Sequence, residues 1–229
     1  PGTYTVSLTA FDGTNTATTN TTIRVDDPDT VFAGTNTICV SSDTTPTAGA
    51  GGCPAGAQAV MQPNFATAVN TYALTNRRVL FKRGDTFSAP TTSSLTRTGP
   101  GTLGAFGTGV APKVQSTGTI LHLSSPDTPN IKDWRIMDLE FDGQNGLNSN
   151  GVIAAGGAQQ LTFLRMNIHD ISNGIQFNAQ GLDGLIAGLP GGHLVYDQIF
   201  IVNSDIQRIL GSGGNGMFLQ AERLALLGN

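Results

Sequence analysis

Side chains that could carry out acid–base chemistry are concentrated between residues 138 and 208. In the stretch Asp138-Leu139-Glu140-Phe141-Asp142, three acids alternate with apolar residues. Hydrolysis of a glycosidic bond uses two carboxyl groups about 5 to 9.5 Å apart, and neighbouring columns of a β-sheet give such separations. The candidate catalytic residues are Asp138, Glu140, Asp142, His169 and Asp205, and Asp170 is a further carboxylate of this region.

The same region could instead support the elimination reaction of a polysaccharide lyase. This reaction needs a base that removes a proton next to a uronate carboxylate, and a positive charge that neutralises this carboxylate. Arg165, Arg208 or His169 could act here. No cofactor is certain, but Ca²⁺ is a candidate, and the oxygen ligands that could bind it belong to Glu140, Asp142 and Asp205. No diagnostic signature of a hydrolase or a lyase is present, so the sequence leaves open whether the protein is an enzyme.

A repeated segment positions these residues. Segments that begin at Trp134, Leu161 and Ile199 share apolar residues at their first, third and eighth positions, and a fourth segment begins at Leu224. The alternation of apolar and polar residues predicts a pair of strands with a bend near the middle of each segment. Such a segment cannot bury its apolar residues alone, so we expect the copies to stack.

Stacking predicts three polar columns, with neighbouring residues about 4.8 Å apart. The columns are Glu140–Asn167–Asp205, Asp142–His169–Gln207 and Asp138–Arg165–Asn203. The side chains that could bond sugar hydroxyls without taking part in catalysis are Arg165, Asn167, Asn203 and Gln207. The alternative for any single acid is that it has no catalytic role and simply lies on the solvent-facing side of a half-buried strand.

The repeats resemble a known fold family. The segments "IMDLEFDG" and "GNGMFL", with the glycine-rich stretch "GTLGAFGTGVAPKVQ" at 101–115, are similar to the right-handed parallel β-helix of the pectate-lyase-like superfamily. The resemblance covers roughly residues 31–229. It implies a secreted protein related to polysaccharide-active enzymes, and its motifs specify the fold better than the chemistry.

A second resemblance concerns the N-terminus. "PGTYTVSLTAFDG" and "TTIRV" alternate strictly around the turn "DGTN", which predicts a β-hairpin. They resemble the last two strands of a PKD domain, an immunoglobulin-like sandwich common in secreted proteins. Two strands cannot bury a sandwich core alone. We therefore expect the hairpin to find partner strands elsewhere, for example in another copy of the chain.

The region between hairpin and repeats carries local signals. Cys39 and Cys53 lie in a loop rich in Gly, Thr and Pro, and we expect a disulfide between them. Residues 26–30 form an acidic linker, and residues 64–74 predict a helix with Asn64 as its N-cap. The basic residues Arg77, Arg78, Lys82 and Arg83 predict a solvated strand face, with a patch for acidic polysaccharide as the alternative.

These features predict an all-β fold, a right-handed parallel β-helix with an N-terminal capping region and a partial β-sandwich hairpin. Residues 1–26 form the hairpin, 27–115 the linker, cap and first coils, and 116–229 the later coils, with the last coil truncated.

Composition limits the function. Charged residues make up only 12% of the chain and the net charge is −4, which disfavours nucleic acid as a partner. No apolar run is long enough to span a membrane. We expect a secreted or cell-surface protein that binds or degrades polysaccharide. The alternative is a structural or adhesive protein without catalysis, which forms a homopolymer when the N-terminal hairpin adds a strand to a neighbour.

Overall fold

The chain is an all-β protein with two short helices, as seen in a computed structural model that describes residues 1–124, 131–155, 157–177, 196–211, 213–221 and 223–229. Strands β1 (Gly2–Phe11) and β2 (Thr16–Val25) pair antiparallel and form the predicted hairpin. The other strands of the described residues form three separate parallel sheets.

The three parallel sheets have the following strand orders. Sheet 1 has the order β4 (Gln58–Met61), β3 (Thr37–Ser41), β5 (Arg77–Lys82), β8 (Gly101–Phe106), β11 (Ile131–Met137), β14 (Ala158–Leu164), β17 (Tyr196–Val202) and β20 (Leu224–Leu227). Sheet 2 has the order β6 (Thr86–Ser88), β9 (Lys113–Gln115), β12 (Glu140–Asp142), β15 (Asn167–Ile171) and β18 (Asp205–Ile209). Sheet 3 has the order β7 (Ser93–Leu95), β10 (Thr119–Ser124), β13 (Asn150–Ala155), β16 (Asn173–Phe177) and β19 (Asn215–Leu219).

The strands follow one another in a repeating order. From β5 onwards the chain visits sheet 1, then sheet 2, then sheet 3, and returns to sheet 1. We call one such passage a cycle. The strands before and after the predicted boundary at residue 116 belong to the same three sheets, since β5 to β9 precede it and β10 to β20 follow it.

The predicted register of the repeats is confirmed. Trp134 pairs with Leu161, Leu161 with Ile199, and Ile199 with Leu224, all within sheet 1. The inward side chains of Trp134, Leu161 and Ile199 are completely buried, and they belong to one continuous apolar core. The second half of each repeat lies in sheet 2, beyond the predicted bend.

Each bend between sheet 1 and sheet 2 has left-handed backbone geometry. Asp138, Arg165 and Asn203 have φ of 59°, 51° and 48°. This conformation is unfavourable for most residues other than glycine, and Asp and Asn tolerate it better than Arg. The bends are held by the next cycle, because the N–H of Asp138 donates to Leu164 O at 3.0 Å and that of Arg165 donates to Val202 O at 3.0 Å.

A ladder of asparagines connects the first residues of three strands in sheet 3. Asn173 Nδ2 donates to Asn150 Oδ1 at 2.8 Å, and the N–H of Asn215 donates to Asn173 Oδ1 at 3.2 Å. A glycine follows each asparagine. A Cβ atom at Gly174 would lie 2.3 Å from the carbonyl oxygen of Gly216, so a side chain there would force the backbones apart.

The N-terminal region differs in part from the prediction. The predicted linker contains a short helix, α1 (Pro28–Val31), because Asp27 caps the N–H of Asp29 and Pro28 occupies the first turn. A 3₁₀ turn follows at Gly34–Asn36. The second helix, α2 (Phe65–Tyr72), confirms the predicted helix and its cap, since Asn64 Oδ1 accepts from the N–H of Thr67.

The disulfide between Cys39 and Cys53 is confirmed, with a Cα–Cα distance of 6.0 Å. The two cysteines pack with Ala57, Leu80 and Phe106 in a small apolar cluster separate from the main core. Among the described residues, neither helix has the length and apolar character needed to cross a membrane.

Candidate functional site

The candidate site lies on the outer face of sheet 2. Alternation turns Val114, Phe141 and Ile168 into the core, where they are fully buried. The residues on either side of them therefore face outward. They form the two predicted columns, each two residues longer than expected: Thr86–Lys113–Glu140–Asn167–Asp205 and Ser88–Gln115–Asp142–His169–Gln207.

Glu140 lies at the centre of this face. Its Oε1 is 2.7 Å from Lys113 Nζ on one neighbouring strand and 3.0 Å from His169 Nε2 on the other. Burial acts to raise the pKa of Glu140, but the hydrogen bonds from Lys113 and His169 outweigh it, so the pKa is lowered. The hydrogen bond with Glu140 in turn raises the pKa of Lys113.

His169 connects Glu140 to a second ion pair. Its Nδ1 lies 2.7 Å from Asp170 Oδ2 and 2.8 Å from Arg208 Nη2, and its side chain is only 7% exposed. Arg208 also donates to both oxygens of Asp170, at 2.6 and 2.7 Å. Nδ1 cannot donate to Asp170 and accept from Arg208 at once, so only one of these two contacts is a hydrogen bond, depending on whether Nδ1 carries a hydrogen.

Asp142 is held by neutral donors. Its Oδ2 accepts from Gln115 Nε2 at 3.0 Å, and its Oδ1 accepts from the N–H of Gln144 at 2.9 Å. Lys113 Nζ is 3.8 Å from Oδ2. Burial acts to raise the pKa of Asp142, and these hydrogen bonds lower it by more, so the pKa is below its ordinary value.

The third predicted column forms a separate ion pair at the bends. Arg165 donates to both oxygens of Asp138 at 2.7 Å, and Arg83 Nη2 approaches the same carboxylate at 3.2 Å. Burial acts to raise the pKa of Asp138, but the contacts with Arg165 and Arg83 lower it overall. Asn203 is exposed at the next bend.

The predicted site residues therefore separate into groups. Glu140, Asp142 and His169 are brought together, with Asp170 and Arg208 beside them. Asp205 and Gln207 are exposed at the edge of the face, where Gln207 Nε2 donates to Asp205 Oδ2 at 3.0 Å. Asn167 lies between Glu140 and Asp205 in the first column, and its Oδ1 is buried without a hydrogen-bond partner.

Two residues of the site were missed in the sequence. Lys113 and Gln115 flank the buried Val114 in β9, one cycle before the first repeat that the sequence revealed. The three-residue segment Lys113-Val114-Gln115 has the same polar–apolar–polar order as Glu140-Phe141-Asp142. This shared order could have indicated that Lys113 and Gln115 belong to the repeat. A match over only three residues, however, is too short to be distinguished from a chance similarity.

The predicted calcium ligands do not come together as a set. Ligand atoms of Asp142, His169 and Asp170 lie within 4.8 Å of one another, whereas Asp205 is paired with Gln207. Ca²⁺ takes about six to eight oxygen ligands, and this group offers only two carboxylates and an imidazole. Asp170 already accepts two hydrogen bonds from Arg208. The residues present therefore do not fit Ca²⁺.

Comparison with protein-family models, with curated proteins and with solved structures gives no match for this chain. The geometry of sheet 2 and the chemistry of its side chains are therefore the basis for assigning a function.

Proposed function

We propose that the chain is a secreted or cell-surface module that binds polysaccharide, built as a right-handed parallel β-helix. The repeating order of the three parallel sheets supports this architecture, and parallel crossovers in proteins are right-handed in nearly all cases. The disulfide between Cys39 and Cys53 supports an oxidising compartment such as the cell exterior.

The polar face of sheet 2 is the observation that carries the proposal. Donors and acceptors are both present in its two columns, in which residues on neighbouring strands are about 4.8 Å apart. A sugar hydroxyl both donates and accepts hydrogen bonds, so a row of amides and carboxylates can bind successive hydroxyls of a glycan. Asp205 and Gln207 are exposed and accessible to such a ligand.

The directions of the pKa shifts favour binding over cleavage. The pKa values of Glu140, Asp142 and Asp170 are lowered and that of Lys113 is raised, so all four groups are charged at neutral pH. A general acid or base works best when its pKa lies near the working pH. Hydrolase or lyase activity is the competing proposal, and the chain of contacts from Asp170 through His169 to Glu140 is the feature that favours it.

Calorimetric titration of the chain with pectin, alginate and neutral glycans tests the proposal. We expect one of these glycans to bind, and the exposed substitutions Asp205→Ala and Gln207→Ala together to weaken binding about tenfold, since each removes hydrogen bonds to the ligand. The control is Thr162→Ala on sheet 1, which should bind as the parent does.

Equal binding by the double variant and the parent would contradict the proposed face. The same glycans are then incubated with the chain and assayed for reducing ends and for unsaturated products by ultraviolet absorbance. Release of products, lost in Glu140→Gln, would replace binding with catalysis as the function.

Assembly into filaments is a second candidate, favoured by the exposure of the hairpin. Tyr4, Leu8 and Phe11 are 54%, 67% and 68% exposed, and neither strand carries a charged residue other than Arg24. Charges on edge strands normally prevent pairing between chains. Negative-stain imaging should show polymers if the hairpin drives assembly, and Val6→Lys should abolish them. A monomer at every concentration would exclude this candidate.

A further inference from the structure

A groove of about 950 Å³ lies on the outer face of sheet 1, on a different sheet from the polar face of sheet 2. Its floor is made by three neighbouring strands, with Leu80 on β5, Gly104 on β8 and Met137 on β11. A Cβ atom at Gly104 would lie 3.3 Å from Met137 Cγ and 3.4 Å from Leu80 Cδ2. The missing side chain therefore deepens the floor between these two apolar residues.

The charge of this groove differs from that of the chain. Four of the chain's 12 basic residues line it, although the net charge of the chain is −4. They are Arg24, Arg78, Arg83 and Arg135. Three aspartates line the groove, namely Asp26, Asp29 and Asp133. The fourth arginine, Arg83, pairs with Asp138, which lies outside the groove.

Arg78 is the most constrained of these arginines. Its side chain is 8% exposed, and its Nε donates to the hydroxyl of the buried Thr37 at 3.0 Å. Its Nη2 pairs at 2.5 Å with Asp29, whose side chain is 62% exposed at the start of α1. This buried arginine was predicted to lie on a solvated strand face. Its guanidinium is fixed in place, whereas its anionic partner is open to solvent.

A second arginine is aligned with Arg78. Arg78 pairs with Thr102, and Thr102 pairs with Arg135, so the two arginines occupy one column of sheet 1 about 10 Å apart. The ion pair of Arg135 with Asp133 has side chains 46% and 34% exposed. Pairs exposed to this extent contribute little stability, so a ligand can replace Asp133.

We propose that this groove binds an acidic oligosaccharide, with Arg78 and Arg135 pairing to its carboxylate or sulfate groups and Asp29 holding the position of one such group in the free protein. Guanidinium groups bind these planar or tetrahedral anions through paired hydrogen bonds. The apolar floor suits the C–H faces of sugar rings. The choice of a saccharide over another organic anion rests on the proposed function, whereas the anion site itself does not.

Titration of the full chain with fluorescently labelled oligogalacturonate at low ionic strength tests this site. We expect Arg135→Gln to weaken binding about tenfold, because it removes a charged hydrogen-bond donor. We expect Asp29→Asn to strengthen binding, because it removes the competing carboxylate from Arg78. A gain in affinity cannot arise from a folding defect, so Asp29→Asn keeps the test decisive. Arg97→Gln, an exposed arginine outside the groove, is the matched control and should bind as the parent does.

The outcomes separate this inference from the proposed function. Weaker oligogalacturonate binding in Arg135→Gln, with unchanged binding in Gln207→Ala, would support the anion site in the groove. This result would not depend on whether the polar face of sheet 2 binds glycans. Unchanged binding in both Arg135→Gln and Asp29→Asn would overturn the groove. Inorganic sulfate that binds as tightly as oligogalacturonate, with the same response to both variants, would overturn the assignment to a saccharide.

Discussion

Glu140 is bound on both sides, by Lys113 from the preceding cycle and by His169 from the following one. The sequence predicted which residues share its column, because the period of a strand and the apolar positions of the repeat fix the register. It did not predict the ionisation of these residues. That depends on which long side chains reach across two strands, and alternation carries no information about side-chain reach.

Replacement of Lys113 tests the ionic contacts at the residue scale. The lowered pKa of Glu140 means that its contribution to stability is present above its ordinary value of 4.5 and is lost as the pH falls through its lower value in the folded state. In Lys113→Gln we expect the pKa of Glu140 to rise towards 4.5, because its main lowering contact is removed. Carbon NMR titration of the Glu140 carboxyl group measures this change.

The matched control for this prediction is Lys132→Gln, which removes an exposed lysine from sheet 1. Urea unfolding between pH 3 and pH 7 should show a shallower loss of stability with falling pH in Lys113→Gln than in Lys132→Gln. An unchanged pKa of Glu140 in Lys113→Gln would show that Lys113 does not hold this carboxylate as an anion.

At the scale of elements, sheets 1 and 2 were easier to predict than sheet 3. The repeat from Trp134 revealed sheets 1 and 2, since their strands carry the alternating apolar residues. The asparagine ladder of sheet 3 was not predicted. Its signal is an Asn-Gly pair followed by an apolar residue at positions 150, 173 and 215. Asn-Gly also marks ordinary turns. The sequence alone therefore cannot tell a ladder from separate turns, and only the stacking of the strands shows that these asparagines are neighbours.

The ladder should stabilise the stacking of neighbouring cycles. Asn173→Ala removes the bond to Asn150 and leaves the N–H of Asn215 without its side-chain acceptor. We expect a loss of about 0.5 to 1.5 kcal/mol in the free energy of unfolding, because these hydrogen bonds are partly buried or exposed. Urea unfolding measures it, with Gln176→Ala on the opposite face of the same strand as the control. Equal stability of the two variants would show that the ladder contributes nothing.

At the scale of the whole molecule, the chain is a series of similar cycles that share one core. Each cycle contacts its neighbours in the stack, so stability depends on contacts between adjacent cycles. The sequence revealed this organisation from Trp134 onwards. The earlier cycles were assigned only to a cap and first coils, because β6, β7 and β9 are only three residues long and too short to show an alternating pattern.

The disulfide is the only covalent link between separate segments of the described chain, and its contribution can be measured on the intact protein. It closes a loop with a sequence separation of 14 residues. A loop of about that length should contribute about 3 kcal/mol to the free energy of unfolding. We expect the double substitution of Cys39→Ala and Cys53→Ala to lower the urea midpoint accordingly. Reductant should lower the midpoint of the parent and leave the variant unchanged, and a parent insensitive to reductant would contradict this prediction.

Helix α2 gives the series of cycles a fixed beginning. Phe65, Ala68 and Val69 enter the core beside β5, β6 and β7, so the helix covers apolar side chains of the first cycle. A tandem gene duplication that copies one complete cycle beyond β7 would add a layer without disturbing the contacts of this helix. The number of cycles can therefore change in steps of one while the contacts of α2 with β5, β6 and β7 stay the same.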